Sequence, residues 1–282
     1  MDSAVRQYLD DLIVAARSVL GENLVGAYAA GSLALDAYQP GRSDIDVALV
    51  VEDAVPTARK RALVTALRHE NLACPARGLE LVVYRSAAVR SGTVEPGFEV
   101  ELNTGARMEF RETYDPDERP AADGRFWYAL DRSILHQSGR ALLGPPADEM
   151  FADLAPADLR FLLIEALSWW LALPTPDGDA PAPGAEDAVL GACRSLAKHR
   201  HGRWLAKTDA GRRIASTGPA STGPASADPA SPGRAWPGAA SGVIERSIAA
   251  RAGGTPPSGP EARAFQRWVI DEIRRGHPGS AG

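Results

Sequence analysis

A chain of 282 residues, 45% hydrophobic and 24% charged, can bury one large core or two ordinary ones, which excludes a wholly disordered protein and makes two domains the expectation. Its two cysteines, Cys74 and Cys193, stand far apart without metal-ligand spacing, so neither a disulfide framework nor a zinc site is implied and a reducing cytoplasm fits. The formal net charge of -5 hides blocks: Glu95 to Asp123 holds nine acidic and three basic residues, Asp148 to Asp187 nine and one, and Ala188 onward six and fourteen. That split suits partners of opposite charge and equally a solvated surface, so charge alone does not decide the function.

In chain order, Val5, Tyr8, Leu9, Leu12, Ala16, Val19 and Leu20 recur at helical spacing, predicting an amphipathic helix over 4–20 with Ser3 as its N-cap. Acidic residues among these apolar ones argue against a secretory signal, and no apolar run reaches membrane-spanning length, so a cytoplasmic location is expected. NLVGAYAAGS reads as a strand entering a turn, DIDVALVVED as a buried strand, PTARKRALVTALRHENL as a helix and GLELVVYRSA as another strand, with FEVELNTG a further strand candidate. Trp127 and Tyr128 in GRFWYALDRS sit at helical spacing and read as core rather than as stacking groups.

Beyond about residue 150 the pattern turns helical, over 157–172, about 187–206, 240–251 and 260–275, with Trp169 and Trp170 as packing residues. The fold class is therefore an α/β domain over 1–150, a small mixed sheet with helices, followed by an all-α helical-bundle domain over 151–282. A near-repeat rich in Pro, Gly, Ser and Ala predicts a disordered surface insertion at about 215–238. The acidic loop PTPDGDAPAPGAED is a candidate for substrate contact. His199 and His201 stand two apart on a helix, where side chains do not face the same way, so they do not read as a metal pair.

The segment from Gly31-Ser32 to Ser43-Asp44-Ile45-Asp46 carries the chemistry. Residues two apart on a strand project from one face, so Asp44 and Asp46 hold two carboxylates close together while Ile45 and Val47 turn to the core. Like charges that close call for a cation, and hard oxygen ligands suit Mg2+, which binds through one or two carboxylates, water and substrate phosphates. Gly31 and Ser32 end the preceding strand in a turn whose backbone N–H groups and hydroxyl can hold phosphate oxygens.

Gly-Ser, about a dozen residues, then Asp-Ile-Asp and an apolar strand resembles the signature of the polymerase-beta-like nucleotidyltransferases. That superfamily places a third carboxylate on a neighbouring strand. Glu80, a charge inside the apolar run GLELVVYR, is the choice for metal ligand or general base, and Glu101 is the competing candidate. Within the superfamily the chain most resembles the aminoglycoside adenylyltransferases that modify streptomycin and spectinomycin, a likeness that implies antibiotic resistance as a role. Leu79-Glu80-Leu81 matches the strand whose glutamate is that family's catalytic base, and Leu142-Leu143-Gly144-Pro145 and Asp148-Glu149-Met150-Phe151 match its turn into the helical domain. The resemblance further implies Arg194 and Lys207 as contacts to nucleotide phosphates and Glu186 and Asp187 as acceptor contacts. Two family tryptophans are missing here: the stretch after Asn103 has no indole, and LALPTPDGDAPAPGAED is longer and proline-rich, which puts streptomycin or spectinomycin as acceptor in doubt.

The expected reaction transfers AMP from ATP, with one or two Mg2+ ions on Asp44 and Asp46, to a hydroxyl of a small cationic acceptor such as an aminoglycoside, releasing pyrophosphate. The phosphates are expected on Gly31, Ser32, Ser43, Arg194 and Lys207, and Glu80 takes the acceptor proton. A monomer without nucleic-acid or membrane partners is expected. The rival readings are the same fold acting on a protein or RNA acceptor, a non-catalytic nucleotide-binding or antitoxin-like module, and a phosphotransferase.

Overall fold

The computed structural model describes residues 2–217 and 239–276. Of the insertion expected at about 215–238, residues 215–217 close a helix and the remainder lies outside the described residues. The chain forms two compact units that divide after Leu162.

The first unit opens with α1 (Ser3–Leu20), which buries Val5, Tyr8, Leu9, Leu12, Ala16 and Leu20 along one stripe. Its N-cap is Asp2, one residue earlier than expected, because the Asp2 carboxylate accepts from the Ala4 N–H at 2.7 Å. There follow β1 (Leu24–Ala29), the short helix α2 (Gly31–Ala34), β2 (Ile45–Val51), α3 (Thr57–Leu67), β3 (Leu79–Arg85) and α4 (Ser86–Arg90). Next come β4 (Phe98–Gly105), β5 (Met108–Thr113), α5 (Phe126–Ser138), β6 (Arg140–Leu143), α6 (Ala147–Met150) and α7 (Pro156–Ala172), the last running across the division between the units.

The six strands make one mixed sheet in the order β5-β4-β3-β2-β1-β6. Only β2 and β3 run parallel, joined through α3 by the crossover that parallel pairing requires, and every other pair is antiparallel. Alternation along β2 sends Ile45, Val47, Leu49 and Val51 to one face, where they pack with α1 and with Leu63, Val64 and Leu67 of α3. Ala48 and Val50 turn to the other face and pack with Tyr28, Tyr84, Phe98, Tyr128 and Leu135, the last two from α5. Asp44 and Asp46 lie on the same side as Ala48, beyond the end of this second core.

Trp127 and Tyr128 do lie on a helix. Tyr128 is buried against Phe98 with ring centroids 4.7 Å apart, and Trp127 packs on Phe126 at 4.7 Å. A buried guanidinium on α5, Arg132, donates to the carbonyls of Pro96 (2.6 Å), Thr93 (2.7 Å) and Glu95 (2.7 Å), fixing the loop before β4.

The second unit holds α8 (Ala185–His201), α9 (Lys207–Thr217), α10 (Ala239–Arg251) and α11 (Gly259–Arg275). The helix expected over about 187–206 stops earlier because Gly202 takes a left-handed conformation, φ +67°, and its N–H closes on the Lys198 carbonyl at 2.9 Å. α11 opens on a capping box in which Ser258 accepts from the Glu261 N–H and the Glu261 carboxylate accepts from the Ser258 N–H. Cys74 and Cys193 are both buried free thiols. Among the described residues no helix is long and apolar enough to cross a membrane.

Candidate active site

The site grows from the end of β1. Its chain leaves the sheet at Ala30, whose N–H donates to the Asp46 carbonyl at 2.9 Å, and then turns sharply at Gly31, φ +53°. A Cβ at residue 31 would stand 1.8 Å from Asp46 Oδ2, so the Asp46 carboxylate lies directly against the glycine backbone. Only glycine permits both that backbone angle and that approach. Ser32 follows with its hydroxyl buried and without a hydrogen-bond partner, a polar group placed for an incoming acceptor atom.

The loop back to β2 is closed by Ser43, which is buried and whose Oγ accepts from the Gln39 N–H at 3.0 Å. Asp36, the one described non-glycine residue with positive φ (52°), anchors this loop through an ion pair to Arg140 at 2.7 Å.

Parallel pairing sets Asp46 directly opposite Glu80, and the antiparallel step sets Glu80 opposite Asn103. Directly paired residues share a face, so Asp44, Asp46, Glu80 and Asn103 all point to one side of the sheet. Arg77, three residues before Glu80, reaches both neighbouring carboxylates: its Nη2 is 2.6 Å from Asp44 Oδ2 and 3.9 Å from Glu80 Oε1. Asp131 on α5 is exposed and adds its negative charge to Glu80's surroundings. Glu80 is partly open to solvent, yet desolvation first, then the charges of Asp44 and Asp131, push its carboxyl up to about 7 against the pull of Arg77 and Arg111. A carboxylate poised there can accept a proton near neutrality.

Glu101, the competing candidate, is enclosed in ion pairs with Arg111 at 3.0 Å and with Arg119, and accepts from Thr113. Its charge is committed to holding β5 and the following segment. Among the described residues no three His, Cys, Asp or Glu side chains converge to hold a metal ion.

In the second unit, Asp187 pairs with Lys207 at 3.1 Å and with Arg251 at 2.5 Å, while Glu186 accepts from the Gly184 N–H at 3.0 Å. Arg194 and Lys198 both lie over the Trp204 ring, at 5.6 and 5.5 Å from its centroid.

Sequence reading passed over Arg77, Asn103 and Asp131. An acid among apolar helical residues, as in FWYALDRS, was the available sign for Asp131. Asn103 follows from the strand register once Glu80 is fixed.

The mixed six-stranded sheet with its helices, followed by a helical region, is a nucleotidyltransferase fold. The chain is similar to the crystal structure of spectinomycin adenyltransferase AAD(9) from Enterococcus faecialis with ATP and spectinomycin, at TM-score 0.64 and 13% identity, covering 96% of this chain and 99% of that one. No protein-family model matches the sequence, and no curated protein matches it.

Proposed function

We propose that the protein is a Mg2+-dependent adenylyltransferase that moves AMP from ATP to a hydroxyl of a small, amine-rich acceptor and releases pyrophosphate. The observation that carries this reading is the packing of Asp46 against the Gly31 backbone and in register with Glu80. That packing supports the reading by bringing the proposed phosphate turn, metal ligand and base together in a single stretch of sheet. The similar structure, crystallised with ATP and spectinomycin, supports the choice of nucleotide and the acceptor class.

In this reading Gly31 and Ser32 hold phosphate oxygens through backbone N–H groups and the buried, unpartnered Ser32 hydroxyl. Ser43 supports them by closing the loop. Asp44 and Asp46 would hold Mg2+, which when bound neutralises charge on the phosphates undergoing transfer. Glu80 takes the proton from the attacking hydroxyl. In the helical unit, Arg194 and Lys207 are the proposed phosphate contacts and Glu186 the proposed acceptor contact. Asp187 acts there by orienting Lys207 and Arg251.

The test is incubation of the protein with Mg2+, ATP and a panel of aminoglycosides including spectinomycin and streptomycin, reading pyrophosphate release and an AMP-sized mass gain on each acceptor. Modification of one or more acceptors is the expected result. ATP binding with no acceptor modified would leave the nucleotide reading and remove the acceptor class; absence of ATP binding would remove both.

A further inference from the structure

Arg77 is held by its backbone and exposed at its tip. Its N–H donates to the Ser43 carbonyl at 3.2 Å, and its own carbonyl accepts from the Arg107 N–H at 3.3 Å. The next residue, Gly78, is gripped on both sides: its carbonyl accepts from the Ile45 N–H at 2.9 Å, and a Cβ on Gly105 would stand 2.4 Å from its Cα. Between the metal-ligand loop and the β4–β5 hairpin the main chain at 77–78 thus has little freedom. The Arg77 side chain, in contrast, is 46% exposed, and its guanidinium lies against Asp44 Oδ2 and within reach of Glu80.

We propose that Arg77 is a resident counter-cation that competes with the divalent ion for Asp44 and swings away when that ion binds. The inference rests on Asp44 being a metal ligand in the adenylyltransferase reading. A divalent ion on Asp44 Oδ2 would be repelled by the guanidinium that lies 2.6 Å from the same oxygen, so each cation weakens the other's hold on Asp44. That repulsion favours the departure of one cation, and the exposed arginine tip is the one with room to move. Arg77 thereby serves as a positioning residue: it keeps Asp44 and Glu80 apart in charge terms until the ion arrives, and it raises the ion concentration needed to load the site. Asp44 is thus compensated by Arg77 in the metal-free protein and by the ion in the loaded one.

The experiment is a Mn2+ titration of the full chain without nucleotide, followed by the electron paramagnetic resonance signal of the free ion. It compares wild type, Arg77→Gln, Arg77→Lys and Asp44→Asn. The weak coupling of a partly exposed ion pair sets the scale, so Arg77→Gln is expected to bind Mn2+ about 1.4- to fivefold more tightly than wild type. Arg77→Lys, with a point charge in place of the fork, is expected to fall between them. Melting in EDTA supplies a second readout: Arg77→Gln melts below wild type, and Mn2+ raises its melting temperature by more.

Equal or weaker Mn2+ binding in Arg77→Gln, with binding lost in Asp44→Asn, would overturn the competition and leave the adenylyltransferase reading standing. If Asp44→Asn binds Mn2+ as wild type does, the metal role of Asp44 falls and the competition falls with it. Should Arg77→Gln not fold, Arg77→Lys decides the matter, since an affinity equal to wild type there overturns the proposal.

Discussion

Asp46 on β2 and Glu80 on β3 are directly paired across the only parallel step in the sheet, so two carboxylates from separate segments share one face at fixed spacing. Neither side chain needs a flexible loop to find the other. Backbone hydrogen bonds of the ladder set their separation, and the first test of the site is to disturb the groups that this ladder positions.

Gly31→Ala is expected to abolish nucleotide binding and to lower stability by about 1–3 kcal/mol, because the added methyl needs both a left-handed backbone and the space now held by Asp46 Oδ2. Urea unfolding and a fluorescent-ATP titration check it. A variant that binds ATP as wild type does would show that the turn does not hold phosphate.

Glu80→Gln keeps the shape and removes the base, so turnover is expected to fall about 100- to 10,000-fold with ATP binding retained. With its carboxyl raised to about 7, wild-type activity should climb as pH rises through that value. The stability effect has the opposite sign. A raised carboxyl pKa means that the folded state binds more protons than the unfolded one between about 4.5 and 7, so the Glu80 contribution to stability declines as pH rises across that window. Urea midpoints measured from pH 5 to pH 8 should show this decline in wild type without Mg2+ and lose it in Glu80→Gln.

Asp44→Asn should unfold at a urea midpoint close to wild type, since Asp44 is 24% exposed and its pair with the half-exposed Arg77 is worth at most about 1 kcal/mol, while pyrophosphate release falls to background. Retained turnover would remove Asp44 from the metal site.

Arg132→Met removes three hydrogen bonds from a buried guanidinium and leaves the carbonyls of Thr93, Glu95 and Pro96 without that donor, for a loss of about 3 kcal/mol or more. Limited proteolysis should then cut faster within 93–97, the loop that Arg132 holds in the wild-type protein. Cleavage at unchanged sites and rates would mean that the loop is held by other contacts.

The sequence made the central strands legible because they are buried and bounded by clear turn signals. Ile45, Val47 and Leu49 are fully or nearly fully buried, and an apolar run of that kind has few alternatives. β5 is an edge strand whose residues Glu109 to Glu112 are all exposed, so it carries no burial pattern to read, and β6 has only four residues. In the site, Gly31, Ser32, Asp44, Asp46 and Glu80 announce themselves by spacing. Arg77 does not, because a half-exposed arginine beside a glycine looks like any solvated loop residue until the register of β2 against β3 sets it beside Asp44.

The last strand to be added has a consequence for how the site is made. From β1 to β5 the chain steps outward to one edge of the sheet, and then β6 returns to the opposite edge to flank β1. β1 is the strand that delivers Gly31 and Ser32, and its outer side stays unpaired until residues 140–143 are available. A nascent chain emerging from the ribosome would therefore carry the glycine turn and both aspartates for more than half of the first unit's synthesis before the strand beneath them gained its second neighbour. That long-range pairing, with Tyr28 donating to the Pro145 carbonyl at 2.9 Å, gives β1 its second neighbour and completes the sheet under the glycine turn.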